Sequence, residues 1–182
     1  MRMLGSLILM GALAVSACAH APEVEAPTTA PANDSAAPTP MAPPSAAEVT
    51  VENLLRWPLE GTAGVEKVKA GLHQVLQMKP LIAQQFSGDG PVRLADGYIL
   101  AFAEIKNLSH AVSIGLEQAP CISPLYAQKL IGAVESPGTR DMHGVDYGKT
   151  YSTTYNGVEV IFRTSPQTYR CVRSIYIYRA RN

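Results

Sequence analysis

The chain has 182 residues, 47% of them apolar, and its 15 basic and 15 acidic side chains leave no formal charge. That balance excludes a general electrostatic attraction to nucleic acid. The length suits one ordinary domain with a single core.

The amino terminus has the three parts of a secretory signal. Arg2 precedes an apolar run from Met3 to Val15, and the small residues Ser16 and Ala17 follow. The run is too short for the roughly 20 residues that a permanent membrane helix needs. One reading is an ordinary signal peptide cut after Ala19-His20-Ala21, with Cys18 incidental. The other rests on Val15-Ser16-Ala17-Cys18, which resembles the lipobox of bacterial lipoproteins.

The resemblance implies that residues 1–17 are removed and that the Cys18 thiol carries a diacylglycerol. The new amine of Cys18 is usually acylated as well, giving a palmitate-type anchor. Several acyl chains at about 0.8 kcal/mol per buried methylene hold a protein on a membrane stably. Ala19, rather than an aspartate, follows the cysteine. In a Gram-negative host that implies the outer membrane, with the protein facing the periplasm. The resemblance covers only about the first 20 residues, and no family is recognised for the rest.

From Ala19 to about Ala47 the chain is mostly Ala and Pro, with seven of its 14 prolines and no apolar periodicity. Such a stretch buries too little surface to offset its ordering entropy, so residues 18–47 read as a disordered tether behind Cys18. In polyproline geometry, at about 3.1 Å per residue, its upper reach is roughly 90 Å. A single globular domain is expected over residues 48–182.

Ser45-Ala46-Ala47-Glu48 has the form of a capping box, which predicts a helix ending at Trp57-Pro58. Val49-Thr50-Val51 also fits the start of a strand. Val65, Val68, Leu72, Val75 and Leu76 share one face of a second helix, which Pro80 ends; His73 flanks that stripe as a surface residue. Gly88-Asp89-Gly90-Pro91 reads as a turn. Tyr98 to Lys106 alternates imperfectly, with Ile99, Ala101, Ala103 and Ile105 on one side of a strand, although Tyr98, Phe102 and Ile105 also fit a helix. Val112, Ile114 and Leu116 alternate cleanly. Ser123 and Pro124 then start a short helix, with Leu125, Leu130 and Ile131 facing inward.

Asn156-Gly157 between two alternating runs predicts a type I′ hairpin, since both turn residues need positive φ. A two-residue turn pairs Tyr155 with Val158, Thr153 with Val160 and Tyr151 with Phe162, all on the core face. Thr150, Ser152, Thr154, Glu159, Ile161 and Arg163 line the opposite face. A last strand runs from about Thr168 to Arg179, with Arg170, Tyr176 and Tyr178 on one side. The fold class is therefore α+β: a mainly antiparallel sheet ending in a three-strand meander, with two to three helices packed on one face.

If Cys18 is acylated, Cys121 and Cys171 are the only thiols left, and in an oxidising compartment they pair as a structural disulfide. No hydrolase, phosphate-loop or dinucleotide motif is present, and no metal or cofactor is called for. The best catalytic candidates are Asp141, His143 and Asp146, in a Gly-rich loop from about Pro137 to Gly148, with His110 a distant fourth. An imidazole between carboxylates can bind a metal or move a proton. Six of eight tyrosines (Tyr147, Tyr151, Tyr155, Tyr169, Tyr176 and Tyr178) and Arg163, Arg170, Arg173, Arg179 and Arg181 fall in the last meander. Both residue types are enriched at interface hot spots and can stack on sugars. The expected function is a non-catalytic, lipid-anchored binding module for a periplasmic protein partner, either an envelope-assembly factor or a hydrolase or toxin that it inhibits. The alternatives are a small hydrolase or metal enzyme on the loop, and a peptidoglycan-binding anchor.

Overall fold

The computed structural model describes residues 42–137, 140 and 142–180, within one compact unit, Pro40–Asn182. The signal segment, Cys18, the tether as far as residue 41, and Asp141 lie outside the described residues.

The first helix is interrupted where the sequence predicts continuity. The Glu48 carboxylate accepts from the Ser45 amide at 2.6 Å and from its hydroxyl at 2.9 Å. This box closes only a 3-10 turn, Ala46–Glu48, because Val49 leaves it in extended geometry and is fully buried. Thr50 is the working cap of α1 (Val51–Arg56), its Oγ1 accepting from the Asn53 amide at 3.0 Å. Asp96 accepts the Val51 amide at 2.6 Å, tying the same helix end to a distant turn. A second 3-10 turn, Trp57–Glu60, leads into α2 (Thr62–Leu76), which buries Val65, Val68, Leu72 and Leu76 as the periodicity predicts. His73 is half-buried, edge-on to the Phe86 ring at 4.9 Å.

The remaining elements are β1 (Lys79–Ile82), β2 (Gln85–Arg93), β3 (Ile99–Lys106), β4 (Ala111–Leu116), α3 (Pro124–Ile131), β5 (Val134–Ser136), β6 (Thr150–Tyr155), β7 (Val158–Thr164) and β8 (Val172–Arg179). They form an α+β fold around one eight-stranded sheet of order β1-β2-β3-β4-β8-β7-β6-β5. Every neighbouring pair is antiparallel.

Four strands precede α3 where the sequence predicts two. Gly88-Asp89-Gly90-Pro91 lies inside β2 rather than in a turn, and the register shifts between Asp89 and Val92. Such a bulge accommodates a proline that has no amide to donate. A second register shift, between Leu100 and Phe102, explains the imperfect alternation of β3. It draws Leu100 into the core with Ala103 and Ile105 in place of Ile99 and Ala101, while Phe102 keeps the outward side opposite Ala103 and Ile105. In α3 the buried stripe is Pro124, Ala127 and Ile131, so Leu125 falls off it and is 58% exposed.

The hairpin follows its sequence closely. Asn156 and Gly157 have φ of 47° and 73°, and the pairs Tyr155–Val158, Thr153–Val160 and Tyr151–Phe162 are the observed partners. Thr153 is half-buried and Tyr155, beside the turn, is exposed; the other four are buried. The core rows cross the sheet centre: Ile105, Val112, Ile177 and Val160 are register partners, as are Ala103, Ile114, Ile175 and Phe162. All eight are fully buried.

Cys121 and Cys171 form a disulfide with Cα atoms 5.2 Å apart, within the range that the bond tolerates. Cys121 lies in the connection before α3 and Cys171 just ahead of β8 rather than within the strand. The Val172 amide, beside it, donates to the Ile122 carbonyl at 3.0 Å.

Candidate functional site

Successive side chains on a strand point to opposite faces, so every core row has a counterpart on the other side. Glu104, Ser113, Tyr176, Ile161 and Ser152 form one such row, and Phe102, Gly115, Ser174, Arg163 and Thr150 the next. Thr154, Glu159 and Tyr178 continue the face beyond them. Apart from Gly115, none of these residues is buried. The outward set read from the hairpin (Thr150, Ser152, Thr154, Glu159, Ile161, Arg163) lies on this face.

Three depressions mark it, one of them, about 500 Å³, lined by Phe102, Gly115, Glu117 and Arg173 among others; the other two hold the outward-facing tyrosines. The larger of these, about 870 Å³, lies toward the Asn156-Gly157 end and is lined by Lys106, Ser113, Glu159, Ile161 and Tyr178 among others. The smaller, about 400 Å³, lies toward the opposite end, where Val145, Asp146 and Tyr147 of the loop meet Phe102, Arg163, Arg173 and Tyr176. Gly115 is what lets Phe102 lie down there, since a Cβ at that position would come within 2.2 Å of the Phe102 ring.

Arg163 is the centre of the smaller depression. Its guanidinium carbon lies 5.2 Å from the Tyr176 ring centroid and 5.8 Å from that of Tyr147, within cation–π range of both. Tyr176 in turn stacks on Tyr178, with centroids 6.3 Å apart and planes 9° from parallel. Burial, followed by the neighbouring Tyr176, pushes the Tyr178 phenol above its ordinary pKa.

Tyr176 and Tyr178 share this face as the sequence predicts, but Arg170 does not join them. Arg170 lies in the bend before β8, and a register shift between Arg163 and Thr164 changes the parity ahead of Ser174. Val172 is therefore buried, and Arg173 lies at the depression instead. Alternation in β3 sets Phe102 opposite Ala103 and Ile105, on this face, whereas Tyr147 is brought in by a loop. The outward positions of Arg163, Tyr176 and Phe102 are the signals that the sequence carries.

The loop candidates do not assemble into a catalytic centre among the described residues. Asp146 accepts the Tyr169 hydroxyl through one oxygen and the Gly148 amide, at 2.8 Å, through the other. Those two bonds, the Tyr169 one foremost, hold its pKa below the ordinary aspartate range. His143 is exposed in the turn, and no group of three metal-ligating side chains is found among the described residues. His110 lies beside Val65, Gly157 and Arg179. It is at the far end of β4 from Gly115, so it does not approach the loop. Comparison with family models, with curated proteins and with solved structures found no match.

The loop is pinned to β7 at Gly148, where φ is +79° and a Cβ would sit 2.2 Å from the Thr164 carbonyl oxygen. The Lys149 amide donates to Thr164 Oγ1 at 2.8 Å, and the Thr164 amide returns a bond to the Lys149 carbonyl at 2.9 Å. Gly148→Ala is expected to cost roughly 2–3 kcal/mol, combining left-handed strain with a backbone clash. Gly144→Ala, at φ +76° with open space around it, is expected to cost about 1 kcal/mol. Urea unfolding of the two variants checks the difference.

Proposed function

We propose that this chain is a lipid-anchored envelope protein. In this reading Cys18 is its acylated first residue, the outer membrane its site, and the exposed sheet face a non-catalytic binding surface for a periplasmic protein partner. In this reading the helices back the sheet and the three-strand meander β6–β8 carries the surface: alternation along its strands puts the apolar residues on one side, leaving the other for contact. The observation that carries the proposal is Arg163 held between Tyr147 and Tyr176 on an unburied face. Aromatic and arginine side chains are the residues that dominate interface energetics. Asp146 has both carboxylate oxygens engaged, one by Gly148 of the loop and one by Tyr169 of the β7–β8 connection, which favours binding over hydrolysis there. No helix among the described residues is long and apolar enough to cross a membrane, so the lipid at Cys18 is the attachment in this reading.

Two measurements test it together in a bacterial host. Cys18→Ser is expected to abolish labelling by a palmitate analogue and to release the chain from the membrane fraction. A photoreactive side chain at Ser113 or Thr154 is expected to give one discrete protein adduct in cells, whereas the same group at Glu66, on the outer side of α2, gives none. Retention of the serine variant in the membrane overturns the anchor, and equal adducts from all three positions overturn the binding face.

A further inference from the structure

The smaller depression has the chemistry of an anion site. Two arginines, Arg163 and Arg173, line it against a single carboxylate among its described residues, Asp146. That carboxylate already accepts from Tyr169 and Gly148, so it is committed to shaping the loop. No ion pair joins either arginine to an acidic side chain among the described residues. The Arg163 Nε is closed off from solvent and has no hydrogen-bond acceptor among the described residues. A buried donor without an acceptor is costly, and native structures rarely leave one without reason.

The surroundings select which anion would fit. A guanidinium held over aromatic rings keeps its edge for in-plane contacts, and its fork of donors matches the two oxygens of a carboxylate. Phe102 and Tyr147 give the depression apolar walls, 41% and 48% exposed, which suits a carboxylate carried on a peptide better than a fully hydrated inorganic ion. Ser174 and Thr164 add hydroxyls beside the arginines.

We infer that Arg163 and Arg173 form a carboxylate-binding site, and that the partner presents an acidic side chain or a chain terminus to it. This rests on the reading of the sheet face as a binding surface and names what that surface recognises. Electrostatic attraction between the two arginines and the carboxylate would steer the approach, and added salt would weaken it.

The test uses the purified full-length protein and two small probes, hippurate for a chain terminus and N-acetylglutamate α-methylamide for an acidic side chain. Neutral hippuramide is the control. At least one carboxylate is expected to shift the Arg163 Nε–H resonance saturably, while hippuramide does not. Which of the two binds identifies the source of the carboxylate. Arg163→Lys keeps the charge but loses the fork, and Arg173→Gln changes an exposed residue without touching the core. Each is expected to weaken binding roughly fivefold or more, read at the Ser174 amide. Absence of any saturable shift, or an equal response to hippuramide, overturns the site. If photoreactive groups at Ser113 and Thr154 still capture a partner in that event, the binding face stands and only the carboxylate inference falls.

Discussion

Replacing both Cys121 and Cys171 by serine is expected to lower the free energy of unfolding by about 4 kcal/mol, the chain-entropy value for a loop of this size. The bond joins residues 50 apart, and α3 and β5 to β7 all lie inside the loop that it closes. Cutting it frees the unfolded chain far more than it disturbs any native contact. Against a total of roughly 5–15 kcal/mol for a typical domain, that loss is large. Guanidinium unfolding with and without reductant gives the comparison. Reductant should lower the wild-type midpoint to that of the double-serine variant and leave the variant unmoved. An unchanged wild-type midpoint would show that the cross-link constrains little.

The same bond bears on the site. Cys171 precedes Arg173 by two residues, and its carbonyl accepts the Ser165 amide at 2.9 Å, closing the turn between β7 and β8. Gln118, from the connection that carries Cys121, donates to Ser165 Oγ at 3.2 Å. Reduction therefore loosens the segment that presents Arg173.

What could be read from the sequence was the part governed by local rules. Asn156-Gly157 dictates a turn with two positive φ values, and a two-residue turn leaves one register for β6 and β7. The outward position of Arg163 follows from that register alone. The stripe of α2 is likewise set by spacing along one helix. Three of the failures share one physical cause, the single-residue shift. At Asp89–Val92, at Leu100–Phe102 and at Arg163–Thr164 the pairing slips, and each slip reverses which side chains face the core. This hid Pro91 inside a strand, drew Leu100 into the core in place of Ile99 and Ala101, and exchanged Arg170 for Arg173. The short edge strands β1 and β5 carry no alternation strong enough to see, and their residues stay mostly exposed. Tyr147 reaches Arg163 from a loop, a contact that no local pattern encodes.

The two faces of β7 make the sharpest stability contrast. Phe162 is fully buried, pairs with Tyr151 and Ile175, and stacks on the Tyr151 ring at 4.8 Å and 12°. Phe162→Ala removes a ring from the centre of the core and is expected to cost about 3–5 kcal/mol. Phe162→Leu, which keeps most of the volume, should cost roughly 1 kcal/mol. Ile161 is the preceding residue, pairs with Tyr176 and Ser152, and stays half-exposed on the binding face. Ile161→Ala forfeits only partial burial and is expected to cost about 1 kcal/mol or less. Urea midpoints of the three variants decide the matter. Comparable losses for Phe162→Ala and Ile161→Ala would mean that both faces of the sheet are packed, leaving Arg163 no open surface on which to meet a partner.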